Sequence, residues 1–160
     1  MAVTIRPARP QDAAAIAAFW TPMVRDTTVT FTPEAKSVPE IAALAAGPDP
    51  FLVAEEDGAV LGFARCFAFR AGPGYAGCVE HTIILAPSAQ GCGIGRQLLS
   101  ALVARARAEG RHAMIAAISG ENAAGLAFHA AMGFAPVGVL PKVGTKFGRR
   151  IDLHLMQKTF

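Results

Sequence analysis

The sequence predicts an α/β layered fold, helices packed on a mixed sheet, and three observations carry that reading. Apolar segments of strand length alternate with amphipathic segments of helix length along the chain. Asp57-Gly58 stands between two apolar runs, which is the turn chemistry of a β-hairpin. A further apolar run, residues 78–85, feeds a glycine-rich loop that opens an amphipathic pattern, as a strand feeds a helix. The chain has 160 residues, 52% hydrophobic and 17% charged, which is globular composition. No linker-like stretch interrupts it, so one domain over residues 1–160 is expected.

In order, "AVTIRPA" is a short strand, and Asp12 caps a helix with Ile16, Phe19, Trp20 and Met23 on its apolar side. Pro22 should disturb that helix near its end. "TTVTFTPE" is extended and leads to a loop, Pro39 opens a short helix, and Gly47 ends it. The hairpin over 51–69 follows, then the loop "RAGPGYAG" and the strand "CVEHTIIL". After the glycine loop and its helix come the strand "AMIAAIS" and a helix capped by Asn122 and stopped by Gly133. The tail reads as two strands and a connecting loop.

Composition excludes several classes of function. Net charge is +3, and the basic residues are spread along the chain without interleaved aromatics, so nucleic acid is not an expected partner. The start of the chain lacks the apolar core of a signal peptide, and no run of ~18 apolar residues occurs, so no membrane role is expected. Cys66, Cys78 and Cys92 lack CxxC spacing, which argues for neither a metal site nor a disulfide. A reduced, cytoplasmic enzyme without metal is the expectation.

Gly91, Gly93 and Gly95 fall within five residues and precede a helix whose apolar stripe runs through Ile94, Leu98 and Leu102. Helix N-termini expose unpaired N–H groups and partial positive charge, and glycines let a phosphate approach closely. The loop therefore suits a diphosphate. Two nucleotide motifs fail here. A P-loop needs Gly-Lys-Ser/Thr, and Gly95 is followed by Arg96-Gln97. A dinucleotide fold needs GxGxxG and an acid after the next strand, and neither is present.

Gln90-Gly91-Cys92-Gly93-Ile94-Gly95 resembles the Q/R-x-x-G-x-G/A loop of GCN5-related N-acetyltransferases. "TTVTFTPE", "VEHTIIL", "ENAAGLAFHAAMGF" and "VGTKFGRRIDLHLMQ" are similar, in order, to segments of the phosphinothricin and methionine-sulfone acetyltransferase branch. The resemblance covers nearly the whole chain. It implies an α+β fold with a mixed, mostly antiparallel sheet flanked by helices and splayed open beside "TIIL". It implies acetyl-CoA as co-substrate, held by the 90–96 loop, including Arg96, by backbone groups of Ile83, Ile84 and Leu85, and by Asn122. It also implies a homodimer, for which the C-terminal strand "IDLHLM" offers an edge.

Acetyl transfer to an amine needs a base for the ammonium, donors for the oxyanion and a proton for the leaving thiolate. The resemblance points to Glu80 as base, directly or through water. Strand alternation sets Glu80, Thr82 and Ile84 on one face and His81, Ile83 and Leu85 on the other. His81 is therefore read as a packed or dimer-facing histidine. His129 lies where this branch carries a histidine, to protonate the thiolate or orient a water. By the same resemblance Arg70 holds an acceptor carboxylate, with Phe31 and Tyr75 flanking the pocket, while Trp20 either reaches the pocket or packs in the core. Lys146, Arg149 and Asp152 match the C-terminal motif without an assigned role. The expected activity is N-acetylation of a small amino-acid-like amine. A protein N-terminus or polyamine as acceptor, or a non-catalytic acyl-CoA-binding module, are the alternatives.

Overall fold

The computed structural model describes residues 2–160 and holds a seven-stranded sheet with helices on both faces. The strands are β1 (Thr4–Pro7), β2 (Phe51–Glu56), β3 (Ala59–Ala68), β4 (Cys78–Leu85), β5 (Ala113–Ser119), β6 (Ala135–Lys146) and β7 (Arg149–Thr159). The helices are α1 (Ala13–Asp26), α2 (Val38–Ala46), α3 (Ile94–Ala108) and α4 (Ala123–Ala131). Strand order is β1-β2-β3-β4-β5-β7-β6, and only β4–β5 is parallel.

Local chemistry sets most of these boundaries. Asp57 and Gly58 both adopt positive φ, the backbone of a two-residue hairpin turn. Ser37 and Glu40 form a capping box at the start of α2, with Pro39 in its first turn. Asn122 Oδ1 accepts the Gly125 N–H at 2.9 Å and caps α4. Asp12 corrects an expectation. It stands at the N-terminus of α1 but makes no cap bond to that helix. Its carboxylate instead takes two bonds from Arg6, at 2.8 and 2.9 Å, and one from the Arg9 N–H at 2.7 Å. A paired guanidinium outcompetes neutral N–H donors for a carboxylate. α1 also runs through Pro22 to Asp26. "TTVTFTPE", expected to be extended, forms a series of bends.

The sheet separates two cores. On one face Ile16, Phe19 and Trp20 of α1 and Ile41 of α2 pack on Phe51, Phe63 and Ile84. On the other, Leu98, Leu99 and Leu102 of α3 pack on Ala64, Cys66, Val79 and Met114. β7 lies between β5 and β6, so the expected free edge belongs to β6.

The feature that creates a site is the short β4–β5 ladder. It pairs only Cys78, Val79 and Glu80 with Ala113, Met114 and Ile115. Beyond Glu80, β4 stays with β3 to Leu85, while β5 stays with β7 to Ser119. The sheet opens between them.

Candidate active site

Glu80 occupies the last rung of the ladder, opposite Ile115. A cavity of about 230 Å³ lies in the opening and is lined by Glu80, His81, Phe31, Ser119, Asn122 and His129, among others. The cavity therefore gathers both expected catalytic residues, the expected cofactor residues Ile83, Ile84 and Asn122, and one acceptor residue, Phe31. Glu80 is half-buried, and burial raises its carboxyl above the ordinary carboxylate range. A carboxylate made more basic in this way is better matched to taking a proton near neutral pH.

The alternation expected for β4 holds. Glu80, Thr82 and Ile84 face the α1 side, and Ile84 is 4% exposed in that core. His81 faces the α3–α4 side, where it is 7% exposed. Its Nδ1 lies 3.1 Å from the Ile115 carbonyl, and its Nε2 lies 3.0 Å from Nε2 of His129. Nδ1 of His129 in turn lies 2.7 Å from the Gly125 carbonyl. A carbonyl only accepts, so each Nδ1 that bonds one carries the proton, and the Nε2–Nε2 contact is a hydrogen bond only when one Nε2 carries one. Protonating an Nε2 as well would give the pair a buried positive charge. Burial opposes it, and the neighbouring imidazole adds to the effect at His81, which is pushed down to about 3. Burial lowers His129 as well. At neutral pH each ring is therefore neutral, and the pair's two protons serve two of the three contacts.

This burial has a consequence for stability. The folded pKa of His81 lies below its ordinary 6.5, so between about 6.5 and 3 the unfolded chain holds a proton that the folded chain lacks. The contribution is complete above that window and is lost as pH falls through it. Urea unfolding from pH 6 to 4.5 is expected to lose stability with a slope approaching ~1.4 kcal/mol per pH unit from this group. His81→Gln should flatten the slope, and an unchanged slope would contradict the buried neutral assignment.

The opposite wall of the opening is the edge of β4. The Ala86 N–H bonds to Leu61, and the Phe69 N–H to the Cys78 carbonyl, so even-numbered residues of β4 turn their backbone groups to β3. Ile83 and Leu85 then aim theirs into the opening. The expected backbone contact from Ile84 is corrected on this geometry, since its groups point to β3.

The glycine loop lies at the end of the opening. Gly91 and Gly93 have φ of +75° and +78°, a conformation that costs other residues energy. Gly93 is the N-cap of α3 and supplies no side-chain cap, so the first N–H groups of the helix remain free of one. A Cβ on Gly93 would meet nothing within 4 Å, whereas one on Gly95 would meet Phe128 and Leu85 at 3.4 to 3.5 Å. Gly95 thus serves the packing of α3, while Gly93 faces an open cradle. Gln90, Cys92 and Arg96 are exposed around the cradle, and Ile94 anchors it from the core. Asn122 also lines the opening.

Arg70 and Tyr75 stand apart from this assembly. β3 ends at Ala68, and the chain turns away through Gly72 at φ +105° and a 3-10 turn over Pro73–Tyr75. The Arg70 guanidinium lies 5.7 Å from the Tyr75 ring, in a second cavity that also contains Cys78 and Arg111 but not Glu80.

The C-terminal motif acquires a role that the sequence did not reveal. Lys146 is 4% exposed, and its Nζ donates to the Val24 and Thr30 carbonyls, the latter at 2.8 Å. Arg149 holds Glu121, which accepts from the Thr28 hydroxyl at 3.0 Å. Gly144 leaves room for the Phe31 ring against β6. Together they pin residues 24–31, whose Thr30 and Phe31 line the cavity. Asp152 braces the irregular part of β6 by accepting the Lys142 N–H at 2.8 Å. Lys146→Met should cost ~1–3 kcal/mol, because two carbonyls lose a charged donor. It should also raise the acceptor KM more than the acetyl-CoA KM. Urea titration and the two KM values check this.

The family model described as acetyltransferase (GNAT) family matches residues 17–134. An L-amino acid N-acyltransferase of Escherichia coli is 38% identical over 97% of this chain and 92% of its own. An L-methionine sulfoximine/L-methionine sulfone acetyltransferase of Salmonella typhimurium is 44% identical over 68% of this chain and 63% of its own, so the matched segment spans under two thirds of that relative. The structure of a phosphinothricin acetyltransferase from Sinorhizobium meliloti in complex with acetyl-CoA is 36% identical, with a TM-score of 0.92 over 100% of this chain and 89% of that one.

Proposed function

The chain belongs to the GNAT acetyltransferase family, and from that premise we propose that it acetylates the amine of a small amino-acid-like molecule, using acetyl-CoA. The observation that carries the reading is the coincidence of three features at one opening. These are a free strand edge, a side-chain-free helix N-terminus, and a carboxylate made basic by burial.

The residues fit the co-substrate. The cradle at Gly93 admits a diphosphate to the N–H groups of α3. Ile83 and Leu85 offer backbone donors and acceptors to the amide-bearing arm. Acetyl-CoA supplies an acetyl thioester; its transfer forms one C–N bond, breaks one C–S bond and releases thiol and a proton. Glu80 takes the proton that the ammonium must lose before its nitrogen can attack, directly or through a water. His129, which lines the same cavity, takes the second nitrogen proton and passes it to the departing sulfur. No protein nucleophile takes part.

The test is thiol release from acetyl-CoA with a panel of amines. Methionine sulfone, phosphinothricin and other free amino acids are expected to accelerate release, and polyamines and peptides are not. Release with peptides alone would replace this reading with modification of a protein N-terminus. Binding of acetyl-CoA without release for any amine would leave an acyl-CoA-binding module.

We further propose a second copy of this chain as partner. β6 ends the sheet, and it and the turn after it leave Val137, Val139, Leu140, Val143 and Phe147 exposed, an apolar set that a copy would cover.

A further inference from the structure

We propose that Arg65, on β3, reads an acidic group of the acceptor, chiefly its carboxylate. This inference rests on the reading of the protein as an amino-acid acetyltransferase and assigns its acceptor subsite.

The placement follows from sheet register. Arg65 pairs with Thr82 across β3–β4, and Phe67 pairs with Glu80. Paired residues share a face, so Arg65 and Glu80 are diagonal neighbours on the α1 side, a separation of ~7–8 Å between side-chain roots. That distance suits a molecule whose amine meets Glu80 while its acid, a few bonds away, meets a long arginine side chain.

Arg65 lines a cavity of about 710 Å³ with Trp20, Thr30, Phe67 and Thr82. Thr30 and Thr82 also line the cavity that holds Glu80, so the two spaces adjoin. The other charges on the larger cavity are Glu34, Lys36 and Glu40, all exposed at its rim. Glu40 is engaged with Ser37 in the α2 capping box.

Arg65 is half-buried, yet among the described residues no carboxylate bonds to it. Its guanidinium lies 4.8 Å from the Phe67 ring centroid and 6.0 Å from that of Phe51. Such stacking holds the planar group flat and leaves its edge donors for a two-pronged partner. Burial disfavours the charge and lowers the pKa of the group, and the Asp49 carboxylate, which does not bond to it, offsets this only in part. An acceptor carboxylate supplies a bonded anion, with two parallel hydrogen bonds. Arg70, by contrast, is exposed and faces a cavity that Glu80 does not line.

Two measurements test the assignment. The first is kcat/KM for methionine sulfone and for its carboxamide in wild type, Arg65→Gln and Arg70→Gln. Arg65→Gln is expected to lower kcat/KM for the acid by ~30-fold to ~1000-fold, with little change for the amide and none in the acetyl-CoA KM. Wild-type preference for the acid retained in Arg65→Gln, or lost instead in Arg70→Gln, overturns the proposal. The second is independent of turnover. Trp20 is the only tryptophan in the sequence and lines the same cavity, so its fluorescence reports occupancy. A saturable change with methionine sulfone in wild type, absent with the amide and lost in Arg65→Gln or Arg65→Ala, is expected. An equal response to acid and amide overturns the proposal even if the protein acetylates amines. Lack of release with every amine in the panel counts against the function itself, and the fluorescence titration then still decides whether Arg65 binds the acid.

Discussion

Glu80→Gln is expected to lower kcat by ~10²–10⁴ and to leave the acetyl-CoA KM unchanged. The glutamine keeps the shape and polarity of the side chain at the last rung of the β4–β5 ladder and removes only its basicity. Burial raises the carboxyl, so the wild-type rate should fall on acidification at a pH above the ordinary carboxylate range, as the base becomes protonated. That acidic limb should vanish in the variant. The deficit should also shrink at high pH, where more of the acceptor amine is already neutral. A near-normal rate at neutral pH would move the base to His129 or to a water.

Gly93→Val is expected to raise the acetyl-CoA KM by ~10-fold or more, because the left-handed conformation costs an L-residue ~1–2 kcal/mol and a β-branched one more. The variant relieves that strain by moving the loop and turning the first N–H groups of α3 from the diphosphate. Gly95→Ala is the control. Its added methyl meets Phe128 and Leu85 at ordinary contact distance, so the KM should change little. Equal effects at the two positions would contradict the division of roles between cradle and packing. Direct measurement of both KM values in folded variants decides it.

Much of this was legible in the sequence, and the reasons differ by element. β4 and β5 were readable to the residue because both segments are bounded by turn residues and are of strand length, too short for a typical helix. The 57–58 turn and the Asn122 cap were readable because their chemistry is local. The opening of the sheet came only with the resemblance, since no periodicity records where a ladder stops. Lys146 escaped because its partners Val24 and Thr30 lie 122 and 116 residues away. The contact between His81 and His129 spans 48 residues and joins two elements on one face of the sheet. Position along the chain placed Arg70 near the end of β3, but the turn after Ala68 carried it away from Glu80. Arg65 left a signal that went unused: a charged residue in the otherwise apolar run "GFARCF" has to be explained by what it faces.

The most direct measurement of the central claim follows the acetyl carbonyl by NMR, with carbonyl-labelled acetyl-CoA, methionine sulfone and the protein. The thioester signal is expected to decline as an amide signal on the amino acid grows, with no labelled protein at any time and no change when the acceptor is omitted. A thioester that persists with every amine, or label that accumulates on the protein, would contradict direct transfer at the Glu80 opening.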